Sequence, residues 1–137
     1  MFSLIFPGQG SQSVGMGRDL YSNYTYIKAL FDQADETLGF KLSQFILEGP
    51  KEDLDLTEYT QPAIFLVSYS IFTNIKKETG IDFLKAKYFA GHSLGEYSAL
   101  AAAESLGFEK VLSLLNKRGK AMQSALPLGE GGMLAVL

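Results

Sequence analysis

Cysteine is absent from all 137 residues, and that single gap removes disulfides, thiolate metal sites and a cysteine nucleophile together. Tryptophan is absent too, there are four prolines, and there is one histidine, His92. Charge is scarce in a second sense, because neither sign dominates: the formal net charge is −3. No basic stripe interleaved with aromatics is present, which argues against a nucleic-acid partner. No apolar run is long enough for a membrane span, and the N-terminus lacks a charged region followed by a signal-like apolar stretch. A cytoplasmic location is the default expectation.

What is present suits a folded piece. A hydrophobic content of 47% and a charged content of 20% are ordinary for a globular protein, and the length is enough for one core. Ser3–Phe6 reads as a short buried strand broken by Pro7-Gly8-Gln9-Gly10. A short helix is expected before Asn23, then one carrying Ile27, Leu30, Phe31, Ala34 and Leu38 at helical spacing with Gly39 as its stop. Leu42–Glu48 reads as a further helix, residues 51–60 as polar and irregular. Pro62 reads as the first residue of a long apolar helix over Ala63–Thr79, stopped by Gly80. Lys87–Ala90 is the second strand, followed by helices over 94–105 and 108–125. Gly129–Gly132 reads as a loop, and Met133–Leu137 as the start of a third strand. Strands separated by helices predict an α/β fold with a parallel sheet. Two full strands for about five helices are too few to close such a sheet, so the chain reads as truncated.

Gly91-His92-Ser93-Leu94-Gly95 matches G-x-S-x-G between a strand and a helix, the setting of a nucleophile elbow. A capping box of Ser93 with Glu96 explains the same residues, and the pattern alone leaves both readings open. A serine at a helix start also faces free N–H groups, with Leu94 the natural first donor to an oxyanion. Serine needs a base to become a nucleophile. His92 is its immediate neighbour and points elsewhere, so it reads as a structural or pocket-lining residue. In the loop after the first strand, Gln9 lies between glycines. That loop reads as a tight turn, or as backbone approaching a ligand and offering the Gln9 N–H as a second donor. Arg118 falls within roughly 20–60° of Val111, Leu114, Leu115 and Met122 around its helix, in the middle of the apolar stripe. A guanidinium there needs an anion, either a structural carboxylate or that of a substrate. Gln61 reads as an N-terminal cap of the Pro62 helix, or as a pocket residue.

Taken together, FPGQGSQ (6–12) with VGMG just after it, GP (49–50), TQPA (60–63), GHSLGEYSAL (91–100) and RGKAMQ (118–123) resemble the malonyl-CoA:acyl carrier protein transacylases. The same motifs resemble the related acyltransferase domains of fatty-acid and polyketide synthases. The resemblance spans essentially the whole chain and selects the functional reading of Ser93, Gln9 and Arg118. It implies Ser93 as acyl-accepting nucleophile, the Gln9 and Leu94 N–H groups as oxyanion hole, and Arg118 on the malonyl carboxylate. His92 and Gln61 would line the substrate site. Malonyl-CoA and acyl carrier protein would be the partners, with no metal or cofactor. The implied fold is the N-terminal portion of an α/β-hydrolase-like core (1–127), with 128–137 opening a small ferredoxin-like subdomain. The catalytic histidine would then lie in a C-terminal half that this chain lacks, leaving the isolated chain inactive. A serine esterase with the same elbow and a non-catalytic fragment are the alternatives.

Overall fold

The computed structural model describes residues 2–125. Two three-residue strands, β1 (Leu4–Phe6) and β2 (Phe89–Gly91), pair in parallel with Leu4 opposite Phe89 and Phe6 opposite Gly91. Ladder-type bonds run further, from Lys87 N–H to Phe2 and from His92 N–H to Phe6. The expected second strand is therefore in place, displaced one residue toward the C-terminus at its end. Among the described residues seven α-helices surround the pair: α1 (Arg18–Asn23), α2 (Thr25–Leu38), α3 (Leu42–Leu47), α4 (Lys51–Leu54), α5 (Thr57–Thr79), α6 (Gly95–Ala102) and α7 (Phe108–Ser124). Gly39 and Gly80, both at positive φ, end α2 and α5 as anticipated. The expected 129–132 loop, the strand over 133–137 and the boundary near 128 lie outside the described residues.

Two expectations are corrected. Residues 51–60 are helical over most of their length, supplying α4 and the first turn of α5. Pro62 consequently sits inside α5 rather than opening it. A proline there has no N–H for the carbonyl four residues back, here that of Glu58. The Asn116 side chain supplies the missing donor, Nδ2 to the Glu58 oxygen at 3.1 Å. Because tertiary contact replaces the lost bond, the helix continues through a residue that normally begins one.

The main core lies between α2, α5 and α7, where Ile27, Phe31, Phe65, Leu66, Leu112 and Leu115 are fully buried. At roughly 1.5–3 kcal/mol for each large apolar side chain taken from water, this cluster is the main favourable contribution to folding. A smaller cluster, including Phe6, Phe72 and Phe83, fixes β1 against α5. Because the strands are parallel, Phe6 and Gly91 both end at the same edge of the sheet. The loops after them, 7–12 and 92–94, therefore leave side by side. Among the described residues no helix is long and apolar enough to cross a membrane.

Candidate active site

Ser93 occupies the left-handed region at φ 54°, a conformation that costs an L-residue about 1–2 kcal/mol. Close packing imposes it. A Cβ on Gly91 would collide with the Gly95 carbonyl, and one on Gly95 would stand 2.5 Å from the Phe6 oxygen. Two glycines are thus required to fold the chain from β2 into α6 against the end of β1, and the serine takes the strained corner. No side-chain cap forms at the start of α6, so the capping-box reading of Ser93 and Glu96 is overturned: the recorded partner of the serine hydroxyl is Arg118. Ser93 is exposed, and its Oγ accepts a hydrogen bond from Arg118 Nη2 at 3.1 Å.

Arg118 comes to the serine from α7. Its Nη1 donates to Gln61 Oε1 at 2.6 Å, and its guanidinium carbon lies 6.0 Å from the centre of the Tyr97 ring. Gln61 is 0% exposed and its Nε2 donates to Met122 Sδ at 3.2 Å. Both ends of the amide are therefore engaged, with its oxygen fixed toward Arg118. Gln61 stands in the second turn of α5, so the cap expected of it is corrected: the helix starts at Thr57. Arg118 is half-buried rather than central in the apolar stripe. Asn116 and Gly119 share the buried face with Val111, Leu112 and Leu115, which centres that face roughly 90° from Arg118 at 100° per residue. The arginine sits on the rim, facing the sheet edge. Among the described residues no carboxylate forms an ion pair with it, so the structural-carboxylate reading finds no support there.

The loop carrying Gln9 lies against the same turn. A Cβ on Gly8 would overlap His92 Nδ1 and approach its carbonyl oxygen to 2.8 Å. The one histidine therefore covers Gly8 and makes no hydrogen bond to Ser93 among the described residues. Gln9 is exposed, its Nε2 reaching Thr57 Oγ1 at 3.4 Å. Neither the Gln9 nor the Leu94 backbone N–H donates to another described residue; Leu94 itself is a buried residue at the head of α6.

Four neighbours were not singled out from the sequence as site residues: Tyr97, Met122, Gln12 and Asp55. Tyr97 lies within α6 and joins the site through the Arg118 guanidinium, a contact between two helices that no local pattern shows. Gln12 and Asp55 are 43 residues apart and meet only in the folded chain.

Together these features define a strand–serine–helix corner whose hydroxyl meets a cation free of any observed acid partner, with the Leu94 N–H next to it in sequence and the Gln9 loop packed against the same turn through Gly8 and His92. The chain belongs to the acyl transferase domain family, whose model matches residues 3–137. Within that family it is 49% identical over 135 residues to the malonyl CoA-acyl carrier protein transacylase of Bacillus subtilis, covering 98% of this chain and 41% of that protein. It superposes on the acyl-carrier-protein S-malonyltransferase of Bartonella henselae with a TM-score of 0.87 at 42% identity, covering 95% of this chain and 42% of the other. A malonyl-transacylase in complex with a type II polyketide acyl-carrier protein gives a TM-score of 0.84 at 40% identity, over 92% and 40% of the two chains. The chain thus spans about two fifths of the length of these relatives.

Proposed function

We propose that this chain carries the nucleophile and acid-recognition portion of an acyl-carrier-protein S-malonyltransferase serving fatty-acid biosynthesis. In this reading Ser93 Oγ attacks the thioester carbonyl of malonyl-CoA and gives its proton to a base. The developing oxyanion accepts hydrogen bonds from the Gln9 and Leu94 N–H groups, at the positive end of α6. The C–S bond breaks, CoA leaves with a proton, and the malonyl-serine ester remains. The phosphopantetheine thiol of acyl carrier protein then attacks that ester, and Ser93 recovers its proton. None of these steps calls on a metal or a redox cofactor.

The single observation that carries this reading is Arg118, held by neutral Gln61 and touching Ser93 Oγ at 3.1 Å. In a malonyl group one methylene separates the thioester carbonyl from the carboxylate. A cation that recognises the carboxylate must therefore lie beside the nucleophile. A neutral acyl ester gives such a cation nothing to bind, which disfavours a general esterase. Bidentate pairing would draw the guanidinium off Ser93 Oγ and leave that oxygen free to attack. His92 and Gln61 would line the site without acting as the base. The base would come from the portion of the relatives that these 137 residues do not span. The chain by itself would then bind acyl-CoA with little or no turnover. The reading includes the hydrolase-like core over 1–127, with 128–137 opening the small subdomain, and a cytoplasmic location, where CoA thioesters are found.

The test is malonyl transfer from malonyl-CoA to holo acyl carrier protein by the natural polypeptide that carries these residues. Ser93→Ala is expected to lower the rate by on the order of 10³-fold or more. Transfer that survives Ser93→Ala would remove Ser93 from the chemistry.

A further inference from the structure

The loop that carries Gln9 is clasped from two sides. Gly8 and Gly10 leave it with soft dihedrals, Gly10 standing at φ 105°, so its shape has to come from side chains. Ser11 Oγ donates to the Gly8 carbonyl at 2.8 Å. Gln12 Oε1 accepts from the Gly10 N–H at 2.8 Å, and Gln12 Nε2 donates to Asp55 Oδ1 at 2.8 Å. The other Asp55 oxygen pairs with Lys51. The Lys51 ammonium, and then the Gln12 amide, hold the Asp55 carboxyl below its ordinary range, so it is an acceptor throughout neutral pH.

The consequence follows from the planarity of the peptide unit. In a trans peptide the carbonyl and the following N–H point in opposite directions. The Gly8 carbonyl and the Gln9 N–H belong to one unit, so the Ser11 anchor also sets the direction of the Gln9 N–H. The Gly10 N–H belongs to the next unit, which Gln12 anchors. Both planes flanking Gln9 are therefore fixed. The outer anchor, Asp55, ends α4, and two residues later begins α5, whose Gln61 holds Arg118. One short helical segment thus references both the Gln9 loop and Arg118.

We propose that Ser11 and the Gln12–Asp55 pair are positioning residues that hold the Gln9 N–H at the oxyanion position beside Ser93. This rests on the reading of Gln9 and Ser93 given above. Position 12 needs an amide, because it must accept from Gly10 and donate to Asp55 at once. A carboxylate there accepts from Gly10 but repels Asp55. Exchanging the two groups restores both bonds, since Asn at 55 donates where Gln12 did.

The test is single-turnover acylation by malonyl-CoA in the natural polypeptide, comparing Gln12→Glu, Gln12→Glu/Asp55→Asn, Ser11→Ala and Ser93→Ala. Gln12→Glu should lower the acylation rate on the order of tenfold to a hundredfold, less than or near the loss of a whole oxyanion donor. The malonyl-CoA concentration at half-maximal rate should change less than about twofold, because ground-state binding through Arg118 is untouched. The double exchange should recover most of the rate. Wild-type rate in Gln12→Glu, or no recovery in the exchange, overturns the proposal. Should Gln12→Glu fail to fold, Ser11→Ala removes only the hydroxyl anchor of a surface residue and should still slow acylation about tenfold; an unchanged rate there overturns it equally. Acylation surviving Ser93→Ala contradicts the site reading itself, whereas its loss beside a normal Gln12→Glu contradicts only the clasp.

Discussion

Ser93 is held where glycine would be more at ease. Its φ of 54° is set by the contacts of Gly91 and Gly95 with neighbouring backbone, and its Oγ meets Arg118 instead of capping α6. Removing the Cβ relieves the strain, while the greater freedom of the unfolded chain offsets part of the gain. Ser93→Gly is therefore expected to raise the stability of the fold by up to about 1 kcal/mol, read as a higher denaturant midpoint at unchanged slope. Ser93→Ala keeps the strain and should not give this gain. Equal stability of the two variants would mean that the corner stores no strain. The residue types of this corner were legible in the sequence, because a glycine-flanked serine between strand and helix is a local pattern. What Arg118 touches was not. Its periodicity placed it mid-stripe, since an apolar count ignores buried Asn116 and Gly119, and these two move the buried face away from it.

At the scale of elements, α5 and α7 are fitted to one another around Pro62. Asn116 donates to the Glu58 carbonyl that Pro62 leaves without an N–H. One turn along, a Cβ on Gly119 would stand 2.5 Å from the Thr57 oxygen and 2.6 Å from the Glu58 Cα. This fit sets the height of α7 on α5 and so the reach of Arg118 to Gln61. A double-mutant cycle can isolate it. Asn116→Ala should cost about 1 kcal/mol by removing the side-chain donor to the half-buried Glu58 carbonyl. In a Pro62→Ala background, where residue 62 has an N–H to give, the same change should cost at least about 0.5 kcal/mol less. Purely additive effects would show that Asn116 does not replace the proline's missing donor. The order and type of the elements were readable from periodicity and from stops such as Gly39 and Gly80. The start of α5 was not, because a proline is a local start signal and the side chain that lets the helix run through it lies 54 residues away in sequence.

For the molecule as a whole, the sheet organises the site while covering little of itself. Two short parallel strands bring the Gly8–Gln12 loop and the Ser93 corner to one edge. Ile5 remains 81% exposed and Tyr88 60% exposed, and a cleft of about 780 Å³ runs along β2 between Tyr88 and Leu100. The chain spans about two fifths of the relatives that share its fold. Within the described residues, α5, α6 and α7 bring Gln61, Ser93 and Arg118 together, and the Gly8 end of the loop after β1 packs against His92 beside them. The central claim is that Ser93 takes up an acyl group chosen by Arg118. It is tested most directly by exposing the natural polypeptide briefly to equal concentrations of malonyl-CoA and acetyl-CoA and weighing the Ser93 peptide, with and without Arg118→Ala. The expected result is a malonyl adduct on Ser93 in clear excess over acetyl, with the excess lost in Arg118→Ala. Equal labelling by both donors in the unaltered protein, or an adduct on any residue other than Ser93, would contradict it.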